Sequence, residues 1–391
     1  MEWTWFLVAS LVILAAWFWR STSRRHAEKS GSTSLRNIPP EYLKGLNYVL
    51  NEQQDKAIEV FIKMLEVDSD TVETHLALGH LFRRRGETER AIRIHQNLIA
   101  RPTLCEDERS LAMLELGMDY MSSGLLDRAE SLFKELVNDR AYAAQANQKL
   151  LEIYQQEKEW DKAIDIAQGL QSLNGNDLQP VIAQFYCELA EHNRSAGNAA
   201  VAQQHISKAL SIDPGCIRAS LLEAESARRE GKIATALKIF QRIEKQDPEY
   251  LPEVIASIVA CHRELGQLDD CMRYLQDIVG KYGSMTPLLH LTRLIEETRG
   301  EKAAITFISQ ELKHRPSVRG VDKLIEYVLG MAEGEIRDNL QTIKEMTAKL
   351  LINSPVYKCR HCGFDAKQLH WHCPSCKQWC SIKPVLGVVG E

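Results

Sequence analysis

The sequence predicts an all-α superhelical solenoid of paired helices, preceded by one N-terminal transmembrane helix and closed by a small four-cysteine metal domain. Three observations carry this: an uncharged run from Trp3 to Trp19, a small residue recurring every 34 to 39 residues in one local frame, and five of ten cysteines crowded into the last 35 residues. At 391 residues the chain exceeds the usual size of a single core, and a repeat array can grow without enlarging one. Hydrophobic residues make up 45% and charged residues 26%, which excludes wholesale disorder and a polytopic membrane protein. The net charge of −5 provides no whole-molecule basic field, so nucleic acid is not an expected partner.

The uncharged run includes Trp5, Phe6, Leu7, Val8, Leu11, Val12, Ile13, Leu14, Trp17 and Phe18. As a helix it spans about 25 Å, near the short limit for crossing a bilayer, and tryptophans at both ends suit the two headgroup interfaces. A cleaved signal peptide would carry positive charge before the apolar run. Here only Glu2 precedes it, while Arg20, Arg24, Arg25 and Lys29 follow it. Residues 1–20 are therefore expected to be an uncleaved single-pass anchor with the bulk of the chain on the cytoplasmic side. Residues 21–37, serine-rich and basic, read as a tether lying against anionic headgroups.

The repeats come next. A small residue recurs at Ala57, Ala91, Ala129, Ala163, Ala202 and Ala236, with Cys271 and Ile305 continuing the series. Five residues earlier lies a glycine in most units (Gly86, Gly124, Gly197, Gly231, Gly266, Gly300), suited to a tight turn between antiparallel helices. Four residues later comes a bulkier group: Phe61, His95, Phe133, Ile206, Phe240, Leu275. Twelve residues before the recurring position is a second small residue (Gly45, Gly79, Gly117, Ala190, Ala224), and three further along come Tyr48, Phe82, Tyr120 and Tyr154. Such spacings share one helical face, and small residues among large ones let a paired helix approach. Pro214 and Pro248, each after an aspartate, close two second helices. The pattern resembles the tetratricopeptide repeat, covering residues 38–318 as about eight units. Residues 319–353 read as a further helix pair, with Gly334 near the turn and Leu340, Ile343, Met346, Leu350 and Leu351 on one face, suited to capping the solenoid.

Such a solenoid presents a concave surface lined by the first helix of each pair. Counting along the repeat frame gives His80, Arg83, Arg84, Met118, Met121, Glu191, Arg194, Arg228 and Arg229 as candidate partner-binding residues. For any one of them a merely solvated helix face is the simpler account.

Residues 354–391 contain Cys359, Cys362, Cys373 and Cys376 as C-x2-C-x10-C-x2-C, the spacing of a closed four-thiolate site for one metal ion, zinc first and iron as the alternative. Gly363 and Pro374 suit its tight knuckles. Cys380, His361, His370 and His372 are close enough to replace a ligand, but the paired C-x2-C units favour the four cysteines. Tyr357, Phe364, Trp371 and Trp379 are expected to form the domain's small core or to dock it on the last solenoid helices. Cys105, Cys187, Cys216, Cys261 and Cys271, scattered singly through helices, read as buried small hydrophobes, and this usage points to a reducing compartment. The knuckles resemble those of rubredoxin-type domains, with a loop of only ten residues between them. Two rival uses of this tail are electron transfer through iron and nucleic-acid binding through Lys358, Arg360, Lys367, Lys377 and Lys383.

Anchor, repeats and knuckle together resemble the lipopolysaccharide assembly protein B (LapB, also YciM) family of Gram-negative bacteria. The resemblance implies a non-enzymatic adaptor at the cytoplasmic face of the bacterial inner membrane. It would restrain lipopolysaccharide synthesis by promoting degradation of the lipid A pathway deacetylase LpxC by the membrane-bound FtsH protease, under an inner-membrane regulator. The alternative to this adaptor is a scaffold assembling lipopolysaccharide biosynthetic enzymes at the membrane, and self-association is left open. No nucleophile and base pair, phosphate loop or open metal site is visible in the sequence.

Overall fold

A computed structural model describes residues 40–67, 71–175, 177–388, 390 and 391. The expected membrane helix and tether lie outside the described residues. Among the described residues, no helix is long and apolar enough to cross a membrane.

The chain divides into two compact units, one ending at Lys149 and one beginning at Leu150. The first holds three helix pairs: α1 (Pro40–Leu50) with α2 (Gln54–Val67), α3 (Val72–Arg84) with α4 (Thr88–Ile99), and α5 (Glu106–Ser122) with α6 (Leu126–Leu136). Helix α7 (Ala143–Glu157) begins in this unit. The second unit continues with α8 (Trp160–Asn174), α9 (Gln179–Ser195), α10 (Ala199–Ile212), α11 (Ile217–Arg229), α12 (Ile233–Gln246) and a 3-10 turn at Pro248–Tyr250. It then runs through α13 (Leu251–Glu264), α14 (Leu268–Tyr282), α15 (Met285–Arg299), α16 (Glu301–His314), α17 (Val318–Met331) and α18 (Gly334–Asn353). Within the units first helices pack on their own second helices, as in α3 on α4 and α9 on α10, and second helices pack on the following first helix, as in α2 on α3 and α10 on α11. This is the tetratricopeptide solenoid.

The recurring positions explain the pairing. Ala57, Ala91, Ala129, Ala163, Ala202, Ala236 and Cys271 are all buried. The second small residue and the bulky group are the two halves of one contact. A Cβ added at Gly45 would lie 2.6 Å from the Phe61 ring, at Gly79 2.4 Å from His95, and at Gly117 2.6 Å from Phe133. At Ala190, where the small residue gains a methyl, the cluster holds the slimmer Ile206, whereas Ala224 shares its cluster with Phe240. Four second helices also lay a cation over the aromatic ring of their first helix: Lys56 over Tyr48, Arg90 over Phe82, Arg128 over Tyr120 and Lys162 over Tyr154, at 5.2 to 5.8 Å.

Three expectations about the helices need correction, and the first is Cys105, which is not a buried small hydrophobe but the exposed N-cap of α5. In the eighth repeat the buried small residue is Ala304, not the half-buried Ile305, because Gly300 is both the turn residue and the N-cap of α16, which shortens the turn by one residue. The apolar residues expected to share one buried face of α18 are largely outside. Ile343, Met346 and Leu350 are exposed, and α18 is held to α17 by a polar clasp in which Lys344 (2.8 Å) and Thr347 (2.7 Å) bond the Asp322 carboxylate.

After α18 the chain forms β1 (Tyr357–Cys359), β2 (Asp365–Ala366) and β3 (Ile382–Pro384), an antiparallel sheet in the order β2-β1-β3. Cys359 pairs with Ile382, and Tyr357 lies between Ala366 and Pro384. Cys359, Cys373 and Ile382 are its buried centre, with Phe364 packed against them. So small a cluster cannot hold the ribbon folded by itself.

Candidate functional site

Two reverse turns build the centre. In the first, Gly363 follows Cys362 with φ +79° and its N–H donates to the Cys359 carbonyl at 3.0 Å. In the second, Lys377 follows Cys376 with φ +58° and its N–H donates to the Cys373 carbonyl at 2.9 Å. The turns are equivalent, but the second holds a lysine in the left-handed region that glycine prefers. They bring the four sulfurs within 4.8 Å of one another, with Cys359 to Cys376 at 3.7 Å and Cys362 to Cys373 at 3.8 Å.

A tetrahedral ion with bonds of about 2.3 Å to sulfur requires sulfur–sulfur edges of about 3.8 Å, so the residues fit a single metal ion bound by four thiolates. The charges fit as well. Burial raises the Cys359 thiol, but Ser381, at 3.3 Å, and the N–H groups of Cys362 and His361 outweigh it and bring the thiol down to about 6. Burial and then the other three sulfurs push Cys376 up to about 12, against the opposing N–H of Gln378. Four thiolates this close repel one another, and a divalent cation is what would let all four ionise. The same sulfur set accepts zinc or iron.

Two of the four expected substitute ligands have other employment. His372 Nε2 lies 2.8 Å from the Lys377 carbonyl, and its ring stacks on Trp379 at 4.4 Å. Cys380, at φ +53°, donates its N–H to the Trp371 carbonyl and falls outside the sulfur cluster.

The aromatic residues dock the ribbon, but not on the last helices. Trp371 stacks on Tyr250 at 5.6 Å, and the Tyr250 hydroxyl donates to the Ile382 carbonyl at 3.1 Å. Trp379 sets its edge against Phe185 (5.7 Å) and Trp160 (6.2 Å) and donates from Nε1 to Gln155. Tyr357 donates to Glu253 at 2.7 Å. The seat is therefore built by α7, α8, α9, the 3-10 turn and α13. The Asp247-Pro248 sequence both ends α12 and shapes this seat, since Asp247 caps the 3-10 turn and pairs with Lys383 at 2.7 Å.

The same docking accounts for most of the basic tail. Lys383 and Arg360 reach Glu249, Lys358 lies 3.6 Å from Asp365, and Lys367 donates to the carbonyls of Ile352 and Ser354. Of the five cations behind the nucleic-acid reading, four are thus matched by acids or carbonyls of the protein itself.

The candidate partner residues divide into two groups. Arg83 is mostly buried and pairs with Glu115 (2.6 Å) and Asp119 (2.7 Å). Arg194 pairs with Glu225 and Arg228 with Glu264, while Glu191 holds Arg218. Each pair joins first helices of consecutive repeats, and Arg263 with Glu297 extends the series. The sequence signal for this ladder is an arginine followed 31 to 36 residues later by a glutamate. His80, Arg84 and Arg229 are exposed, and Met118 and Met121 are half-buried. Near Glu191, an open cleft of about 700 Å³ is lined by Trp160, Lys162, Glu188 and His192.

Fold and centre together define a class: a tetratricopeptide scaffold carrying a rubredoxin-type metal ribbon. Family models agree, with tetratricopeptide repeats matching residues 74–108 and 187–250 and a rubredoxin metal-binding domain matching 357–384. Lipopolysaccharide assembly protein B of Escherichia coli (strain K12) is 38% identical over 382 residues, covering 97% of this chain and 98% of that protein. The protein of the same name from Haemophilus influenzae is 36% identical, covering 96% of each. The chain belongs to the lipopolysaccharide assembly protein B family. Among solved structures, a Naa15/Naa10 complex bound to HypK-THB aligns with a TM-score of 0.41 at 13% identity, over 80% of this chain and 46% of that one.

Proposed function

We propose that this chain is an inner-membrane-anchored adaptor of lipopolysaccharide assembly that performs no chemistry of its own and delivers the deacetylase LpxC to the FtsH protease. The observation that carries the reading is the near full-length identity to lipopolysaccharide assembly proteins B. The fold is compatible with it in kind: solenoid helix faces offer surfaces for protein partners, and the four-cysteine cluster suits a structural ion. An adaptor acts by raising the local concentration of a substrate beside its protease. The inner-membrane regulator would then tune that encounter.

The test replaces His80, Arg84 and Arg229 one at a time with a photo-crosslinking residue in the full-length protein in its membrane. Capture of the deacetylase or the protease is expected, together with a longer deacetylase half-life when the chain is depleted. A deacetylase half-life that does not change on depletion would sink the proposal.

A further inference from the structure

Cys187 and Cys216 read in the sequence as inert core residues, and the ribbon's metal does not use them. They occupy neighbouring first helices, Cys187 within α9 and Cys216 at the N-cap of α11. Their sulfurs lie 3.9 Å apart, in van der Waals contact. Gln184, only 2% exposed, donates from Nε2 to Cys216 Sγ at 3.3 Å, while its Oε1 has no hydrogen-bond partner. A buried carboxamide aimed at one sulfur of a touching pair is an arrangement that packing alone does not require.

We propose that Cys187 and Cys216 form a hydroperoxide-sensitive dithiol that closes to a disulfide between consecutive repeats. The pair is asymmetric in the way such chemistry needs. The hydrogen bond between the two sulfurs, together with the Ala219 N–H, holds Cys216 below its ordinary value against the effect of burial. Cys187 is itself raised by that same bond and by burial, so it stays protonated. Cys216 is the attacking sulfur and Cys187 the resolving one. Because both are nearly inaccessible (0% and 3% exposed), bulky disulfide oxidants are excluded and the oxidant is a small hydroperoxide.

The steps balance. Cys216 thiolate attacks one peroxide oxygen, the O–O bond breaks, and Cys216 sulfenic acid and hydroxide form. The hydroxide takes the Cys187 proton and becomes water. Cys187 thiolate then attacks the sulfenic sulfur, the S–S bond forms, and the second hydroxide leaves and is protonated by solvent. Two thiols are oxidised by two electrons and one peroxide is reduced to two waters.

The location gives the bond a consequence. Phe185, between Gln184 and Cys187, is the residue on which Trp379 of the ribbon packs. Cys380 follows Trp379, and burial together with the Cys216 charge pushes its thiol up to about 12, so it does not compete. Closing the disulfide would fix α9 to α11 directly beneath the ribbon's seat.

The full-length protein, with its metal in place, is treated with hydrogen peroxide, the peroxide is removed, and the protein is denatured, alkylated with N-ethylmaleimide and mapped by mass spectrometry without reduction. A peptide joining Cys187 to Cys216 is expected, lighter by about 2 Da and reversed by dithiothreitol, while the ribbon keeps its metal. Recovery of both residues as alkylated thiols, at peroxide levels that already release the metal, would overturn the proposal. In Cys187→Ser, exposed to peroxide while folded and then denatured in the presence of dimedone, Cys216 is expected as the dimedone adduct of its sulfenic acid, and no adduct would overturn its role as attacking sulfur.

Discussion

In the first seven helix pairs the residue five before the buried small position reverses the chain with a positive φ. Glycine fills it at Gly86, Gly124, Gly197, Gly231 and Gly266, but Glu52 (φ +58°) and Lys158 (φ +60°) adopt the same conformation with side chains attached. The left-handed cost for an L-residue exceeds the added unfolded-state entropy of glycine, so Lys158→Gly should stabilise the protein by about 1 kcal/mol, measured by urea unfolding. A second departure has a larger consequence. His95 stands where Phe61 and Phe133 stand in the neighbouring repeats, and its Nδ1 meets the wholly buried Asp119 at 2.5 Å, which also holds Arg83. Removing the carboxylate leaves a nearly buried guanidinium with Glu115 alone. Asp119→Ala should therefore cost about 3–5 kcal/mol, seen as faster hydrogen exchange across α3, α4 and α5. A histidine in an aromatic slot is visible in the sequence, but its partner, 24 residues away on the next first helix, is not. The repeat spacing shows which residues share a pair, and leaves open which polar groups cross between pairs.

At the scale of elements, the ribbon and its seat form a unit whose ligands were legible and whose position was not. Two C-x2-C turns define the centre by local spacing alone, whereas the seat joins residues more than a hundred positions apart, such as Tyr357 with Glu253. Trp371 and Trp379 read equally well as a ribbon core. Geometry decides because the sheet is too small to cover both indoles. Beyond Trp19 the sequence has three tryptophans, Trp160, Trp371 and Trp379, all at this seam, so the fluorescence of a chain lacking residues 1–20 reports the docking. Metal binding to such a site is worth on the order of 10 kcal/mol, more than the ribbon's own core supplies. Chelation should shift the tryptophan emission to the red with little loss of helical signal, and an unmoved spectrum would show that the ribbon stays seated without metal. The seam is also pH-sensitive. Burial, opposed by the Tyr357 hydroxyl and reinforced by Glu391, raises the Glu253 carboxyl above its ordinary 4.5. The folded state then holds a proton that the unfolded state has released, so this group's contribution is present below pH 4.5 and is lost as pH rises through the folded value. Glu253→Gln keeps an acceptor for Tyr357 and should be the more stable form at pH 7, converging with the parent below 4.5, as followed by thermal unfolding across that range.

For the whole molecule the question is what the anchor proposed for residues 1–20 would add to a solenoid scaffold. Family membership follows from identity over nearly the entire chain, and the scaffold class from repeats and ribbon. Neither specifies the partners, because recognition by a helix face depends on residues that the repeat frame leaves free to vary. The charge-free run from Trp3 to Trp19, with basic residues only after it, gives the anchor reading its physical content. If the adaptor works by concentrating a substrate beside a membrane protease, tethering is a multiplier of encounter rather than a part of the recognition surface. Deleting residues 1–20 should therefore leave the solenoid folded and able to bind its partner in solution, yet lengthen the half-life of the deacetylase in cells to that seen on depletion. Fusing an unrelated single-pass helix of the same orientation should restore turnover, because only residence at the membrane is required. If the deleted form controls its target fully at native abundance, co-localisation is not the anchor's purpose. If the unrelated helix fails although the fusion reaches the membrane at native abundance, residues 1–20 must make a specific contact within the bilayer, and the simple tether is wrong.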